Sequence, residues 1–180
     1  YAEAAEVISQ NIKRDKSDIL DVLRKMSDEI EEVLRREIFF DKDTGVVLTP
    51  NVMEVTLKVA DKERAYEICS FVPEKEFLLL TYGHKEISFV TWSKYKSEIM
   101  EILGGVEIVD IKERLSSVSV KLTSGSTELL GIFYIASRAL KWADIPIVEI
   151  YSTLTDMTFI VEEKYSIRTL EVLKGLVGAH

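Results

Sequence analysis

The order of apolar runs and chain breakers from Val52 onward constrains this chain more than any single motif. Alternation of Val52, Glu54 and Thr56 with Val55, Leu57 and Val59 predicts a strand, and Asp61 to Phe71 predicts a helix closed by Val72-Pro73. Phe77 to Thr81 and Glu86 to Thr91 read as two strands joined at Tyr82-Gly83-His84-Lys85. Ser93 to Leu103 predicts a second helix, ended by Gly104-Gly105, and Val106, Ile108, Val109 and Ile111 form one more strand. From Leu115 the series starts again. Val118 to Leu122 is strand-like, and Thr123 to Glu128 is a polar turn before an apolar helix from Leu129 to Ala143. A strand from Ile145 to Ile150, a turn from Tyr151 to Asp156, a strand from Met157 to Val161 and a last amphipathic helix follow.

An order of βαββαβ builds a four-stranded antiparallel sheet with two helices on one face. The expected fold class is therefore α+β, with two ferredoxin-like βαββαβ modules, at 51–113 and 114–180, preceded by an N-terminal helical region at 1–50. The second module stops after its second helix, which leaves a strand missing and a sheet edge bare. The Ile38–Leu48 segment is expected to supply that strand. Two half-covered sheets can also bury their open faces against each other.

Within 1–50, Ala2 to Ile12 reads as a short helix, and Asp15 or Ser17 as the cap of a second one running to about Glu37. Ile19, Leu23, Met26, Ile30 and Val33 fall on one stripe of it, opposite mixed charges. Ile38-Phe39-Phe40, the turn Asp41–Gly45 and Val46-Val47-Leu48 suggest a hairpin, and Pro50 breaks the pattern.

With 180 residues, 47% of them hydrophobic, the chain can bury a sizeable core. Its net charge of -8 disfavours nonspecific binding to nucleic acid or anionic membranes. The single cysteine, Cys69, sits in a helical apolar register with Tyr66 and Ile68 and reads as a small buried hydrophobe. No signal-peptide pattern and no apolar run of ~20 residues occurs, so the expected location is the cytoplasm. The chain opens on Tyr1 rather than Met, which suggests a piece of something longer.

Chemistry-bearing motifs are scarce. GxSxG, P-loop, GxGxxG and HExxH patterns do not occur. Asp41–Gly45 lacks the third acid and the bidentate Glu of a calcium loop. His84 and His180 have no ligand spacing to each other or to Cys69, and Glu31-Glu32 and Glu162-Glu163 lie in charge-rich surface stretches. Trp92 and Trp142 are expected to pack. No catalytic residue, metal site or cofactor is expected.

The turn Thr123–Glu128 is the better candidate. It offers hydroxyls, a flexible Gly125 and backbone N–H groups at a helix start, a setting that favours an anionic group such as a carboxylate. Glu128, or a carboxylate of a partner, can accept an α-amino group. An ordinary turn capped by Ser126 or Thr127 explains the same residues. Ser152-Thr153-Leu154-Thr155-Asp156 likewise reads first as a turn between strands.

Leu115 to Val120, Gly131, Asp144 to Ile150, Ser152-Thr153 and Val161 to Lys164 together resemble the carboxy-terminal regulatory half of aspartokinases, and Gly105 to Ile111 resembles the last strand of the module before it. That half consists of tandem ACT domains, which bind amino acids at domain interfaces. The resemblance covers 105–177 well and 52–104 in architecture only. It implies a non-catalytic module pair whose ligand meets Ser124, Gly125, Ser126, Thr127, Glu128, Leu130, Gly131, Ile147, Ser152 and Thr153. It also implies that a segment ahead of the first module completes the second sheet. Where the family has Asn-Pro before the glycine, this chain has Leu129-Leu130, and no kinase domain is present.

The expected function is regulation by sensing an amino acid or similar small metabolite, in a homodimer formed through ACT sheets or N-terminal helices. The alternative is a DNA-binding transcriptional regulator whose N-terminal helix–turn–helix precedes an ACT effector domain. A third reading makes Ile19–Val33 a dimerising helix and the sheets a passive scaffold.

Overall fold

A computed structural model of the chain describes residues 8, 15, 17–26, 45–122 and 131–177. The chain divides into two compact units, Tyr1–Phe39 with Glu128–Ile132, and Phe40–Thr127 with Phe133–His180.

In the first unit, α1 spans 17–26. Asp15 caps it: its carboxylate accepts the Ser17 N–H at 2.8 Å and its carbonyl accepts the Ile19 N–H at 3.2 Å. The bond from Ser17 holds the Asp15 carboxyl below its usual range. Ile19 is buried, whereas Val22 and Met26 are exposed, and Arg24 pairs with Asp21 at 3.7 Å. Apart from Ile8, which is helical, the expected helix at 2–12 lies outside the described residues, as do the continuation to Glu37 and the strand at 38–40.

The second unit is built on strands β1 Val46–Lys58, β2 Leu78–Tyr82, β3 Glu86–Trp92, β4 Ile108–Lys121, β5 Glu149–Ser152 and β6 Asp156–Glu162. Its helices are α2 Lys62–Phe71, α3 Lys96–Ile102, α4 Ile132–Trp142 and α5 Ser166–Val177. Short 3-10 turns at Val59–Asp61, Ser93–Tyr95 and Glu163–Tyr165 lead into α2, α3 and α5. The strands form one antiparallel sheet in the order β2-β3-β1-β4-β6-β5.

Instead of two separate sheets, the sheet is continuous because two strands are long. β1 pairs with β3 over Val52–Lys58, and its leading end, Val46–Thr49, pairs with Ser117–Val120 of β4. This is the pairing expected for the end of the Ile38–Leu48 segment, while the expected hairpin partner at 38–40 lies outside the described residues. β4 in turn merges the predicted strands at 106–111 and 118–122.

Two kinks carry the chain through. The register slips between Thr49 and Val52, so Pro50 and Asn51 oppose Ser116 alone, with Asn51 at φ 53. A second slip puts Glu113 and Arg114 against Met53, with Arg114 at φ 54. Each is a bulge, where a proline costs no ladder bond and a left-handed residue bends the strand. Pro50 therefore does not end the strand as expected.

One face of the sheet carries the helices. Met53, Val55 and Leu57 pack with Ile87 and Phe89 of β3, Ala65 and Ile68 of α2 and Ile99 of α3. Val118, Val120, Met157, Phe159 and Val161 are buried on the same face, and α5, with Leu173 buried, packs on both long strands; Ala136 and Leu140 of α4 are buried as well. The other face closes on itself. Val52, Val90, Leu115, Tyr151 and Ile160 form one buried cluster, with Phe77, Leu79 and Val148 against it. These residues come from both ends of the strand order, so the sheet curls until its two halves meet.

Other details differ from expectation. β5 starts at Glu149 and not at Ile145, because Asp144 at φ 54 turns the chain and the Ile145 N–H goes back to the Leu140 carbonyl at 3.0 Å. Pro146 has no N–H to give, and pairing begins when the Val148 N–H reaches the Ile160 carbonyl at 2.8 Å. Cys69 is half-buried, with burial pushing its thiol up, and Tyr66 is exposed, because α2 turns Ala65 and Ile68 inward. Trp142 does not pack into the core: it is 66% exposed on the outer side of α4, with the Arg138 guanidinium 4.4 Å from its ring centre. Among the described residues no helix is long and apolar enough to cross a membrane, and no group of three His, Cys, Asp or Glu is placed to hold a metal.

Candidate functional site

Where the two halves of the sheet meet, a cleft of about 230 Å³ opens. Phe77 and Leu79 line it from the β2 side, and Tyr151, Ser152, Thr153, Asp156, Ser119 and Thr158 line it from β4, β5, β6 and the β5–β6 turn. Ser119, Ser152, Thr153 and Thr158 bring hydroxyls to one side, but the surface the cleft exposes is predominantly apolar, as in most small-molecule sites.

The hydroxyls on that side are already hydrogen-bonded within the protein. Ser119 and Thr158 join hydroxyls at 2.8 Å across the β4–β6 pair. A matching pair, Thr56 with Ser88 at 2.9 Å, spans β1 and β3. Thr153 Oγ1 accepts the N–H groups of Thr155 and Asp156 at 3.3 and 3.1 Å, and its own N–H donates to the Asp156 carbonyl at 2.9 Å. Thr155 Oγ1 donates to the Asp156 carboxylate at 2.7 Å, and Ser152 Oγ donates to the Thr153 carbonyl at 3.2 Å. The turn-forming role read from these residues is therefore present, and Ser152, Thr153 and Asp156 among them line the cleft.

Behind the cleft lies a set of groups that sequence reasoning missed. Glu54, in the middle of β1, is 1% exposed, and Lys112 Nζ approaches its Oε2 at 3.0 Å. Lys112 also lies 3.7 Å from Asp110. Burial opposes the Lys112 charge, but the hydrogen bond and charge of Glu54, then Asp110 and Glu149, outweigh it and raise its pKa. Glu149 is pushed up, first by burial and then by the charge of Glu54 and a hydrogen bond with it, against the pull of Lys112. Tyr151 is pushed up by burial and then by Glu54 and Glu149. Its hydroxyl is buried beside Thr81 and Glu54 without a well-formed hydrogen bond, and Ser117 Oγ is buried without a partner. The signal available was the alternation Val52-Met53-Glu54-Val55, which puts Glu54 on one face with Val52.

A second cleft, of about 650 Å³, is lined by Lys112, Glu113, Arg114, Leu115, Val148, Glu162, Glu163 and Lys164. Its charges are largely matched: Lys164 pairs with Glu162 at 2.7 Å, and Glu113 with Lys96. It offers no excess of either sign.

Of the residues singled out in the sequence, Ser124, Gly125, Ser126, Thr127, Glu128 and Leu130 lie outside the described residues. Gly131 precedes α4 at φ 101, a conformation that favours glycine. Ile147 is half-buried in the stretch leading to β5 and does not line the cleft. Ser152 and Thr153 come together on it.

No family model and no curated protein matches this chain. Solved structures do match in fold. The regulatory subunit of aspartate kinase from Thermus thermophilus, in its ligand-free form, aligns with a TM-score of 0.61 at 14% identity, covering 74% of this chain and 97% of that one. A structure of aspartokinase alpha and beta subunits aligns at 0.58 and 20% identity, covering 75% and 98%. The aspartate kinase of Synechocystis aligns at 0.62 and 16% identity over 74% of this chain and 26% of that one. At such identities the likeness is one of fold, and the fold is that of aspartate kinase regulatory subunits.

Proposed function

We propose that this chain is a non-catalytic regulator that senses an amino acid or a similar small metabolite through two interlocked ACT-type modules. The observation that carries the reading is the cleft between Phe77 and Leu79 on one side and Ser152, Thr153 and Asp156 on the other. Strand order supports the module pair. β2-β3-β1-β4 is a ferredoxin-like order, and so is β5-β6-β4-β1 taken from the other end, with β1 and β4 serving both. The proposed boundaries, near residues 51 and 114, coincide with the two kinks at Asn51 and Arg114. The fold shared with aspartate kinase regulatory subunits supports a regulatory role.

A ligand in the cleft touches both halves of the curled sheet, so it favours the arrangement that holds them together. Regulation then follows from different affinity for two arrangements of modules or subunits. Ser124–Glu128, Leu130 and Gly131 belong to the same proposal as the turn that holds a carboxylate.

A thermal-shift screen of the whole chain against the standard amino acids tests the reading. A specific ligand at ~100 times its Kd adds about 2.7 kcal/mol to the folded state. The shift should shrink in Ser152→Ala and Thr153→Val. A screen in which no amino acid moves the midpoint would sink the proposal.

A further inference from the structure

The cleft beside β5 offers an incoming molecule different chemistry on its two sides. Phe77, Leu79 and Tyr151 bring apolar surface, and the Tyr151 hydroxyl is itself buried, so the cleft meets its ring. On the other side most hydroxyl protons are already in use. Ser152 Oγ gives its proton to the Thr153 carbonyl at 3.2 Å, and Ser119 and Thr158 share one between them at 2.8 Å. Thr155 Oγ1 donates to the Asp156 carboxylate at 2.7 Å, so at its 3.4 Å contact with Thr153 Oγ1 the proton comes from Thr153. One proton of the Ser119–Thr158 pair apart, what remains for a ligand is acceptors: oxygen lone pairs and the Asp156 carboxylate. Among the described lining residues Asp156 is the one that carries a charge, and none is a Lys, Arg or His. Lys121 stands opposite Asp156 in the β4–β6 ladder but does not line the cleft. A carboxylate entering here would lose water and find no cation, whereas an ammonium would find Asp156.

We propose that this cleft takes an apolar amine: the side chain of an aliphatic or single-ring amino acid lies against Phe77, Leu79 and Tyr151, and its ammonium meets Asp156. The proposal rests on the sensor reading above and narrows its ligand class. Size agrees with it. The cleft measures about 230 Å³. A cavity of about 150 Å³ lined by aliphatic and aromatic side chains is enough to hold benzene. A branched aliphatic chain or one ring therefore fits. An acidic side chain does not, because its carboxylate would sit beside Asp156 or among Phe77 and Leu79 without a partner.

Amide NMR titrations of the whole chain test it with four probes: leucine, isoamylamine (leucine without its carboxylate), isocaproate (leucine without its amine) and glutamate. Leucine and isoamylamine should move the amide signals of Leu79, Tyr151 and Thr153. Isocaproate and glutamate should need about tenfold higher concentrations or more, the worth of one charge-assisted hydrogen bond. Asp156→Asn keeps the shape and an acceptor for the Thr155 hydroxyl, so it should bind isoamylamine about tenfold more weakly and lose the preference over isocaproate. Should that variant fail to fold, the wild-type ranking of isoamylamine over isocaproate decides alone. Isoamylamine binding at these residues with no amino acid doing so would end the sensor reading and leave the cleft chemistry standing. Glutamate binding here as tightly as leucine would keep a sensor and overturn the apolar ligand class. Isocaproate matching isoamylamine, or an Asp156→Asn that binds isoamylamine as the wild type does, would overturn it too. So would silence from all four probes, whatever the wider amino-acid screen shows.

Discussion

Ser117 and Ser119 sit two positions apart on β4, share a face and differ in one respect. Ser119 hydrogen-bonds Thr158 at 2.8 Å, whereas the buried Ser117 hydroxyl has no partner. A buried hydroxyl without a bond costs desolvation and gains nothing, while a paired one contributes about 1 kcal/mol. Ser119→Ala should therefore lower stability by about 1 kcal/mol or more, since it strands Thr158 as well. Ser117→Ala should leave stability unchanged or raise it by up to ~1 kcal/mol. Urea unfolding of the two variants side by side checks the contrast, and equal losses would refute it. Single residues were the least legible part of this sequence. Period-two alternation says that Val52, Glu54 and Thr56 share a face, and a polar residue there reads as solvent-facing. It does not say that the sheet curls and covers that face too. Glu54, Ser117, Glu149 and Tyr151 were missed for that reason.

At the level of elements the sequence was clearer, because helices and strands announce themselves by period and by breakers such as Gly104-Gly105. What it hid was continuity. Pro50 looks like a stop, but at a bulge it forfeits no ladder bond, so β1 passes through it and reaches β4. The charged stretch Lys112-Glu113-Arg114 looks like a loop, and a single left-handed Arg114 keeps it in the strand. The arm Val46–Thr49 can be tested at Val47, whose side chain is 48% exposed, so that a substitution acts mainly through the backbone. Val47→Pro removes a ladder donor opposite Ser119 and should cost about 1–3 kcal/mol. Its signature is local: amide exchange should quicken over Ser117–Val120, while the β1–β3 pairing at Val55–Phe89 keeps its protection. Uniform loosening of both strand pairs, or none, would show that the arm is not what covers that edge of β4.

The second unit as a whole behaves as neither one module nor two, and the reason lies in its two central strands. β1 gives Val52–Lys58 to β3 and Val46–Thr49 to β4, while β4 gives Leu115–Lys121 to β6. Either half that melted alone would strip hydrogen bonds from the other's middle strand and bare the cluster of Val52, Val90, Leu115, Tyr151 and Ile160. Exposing those side chains costs about 1.5–3 kcal/mol each, in addition to whatever the melting half loses from its own core. A repeat in sequence order is thus expected to unfold as one cooperative body. The two tryptophans fall one in each half, Trp92 at the end of β3 and Trp142 at the end of α4, and so report separately. Trp142→Phe leaves Trp92 as the only fluorophore of its kind, and Trp92→Phe leaves Trp142. Urea curves of the two variants, each normalised to its own baseline and compared with its far-ultraviolet circular dichroism, should show fluorescence and dichroism midpoints that coincide. If the Trp142 signal moved at a urea concentration where the Trp92 signal stayed native, the halves would be separable. The shared strands would then be a seam between independent modules and not the element that binds them into one.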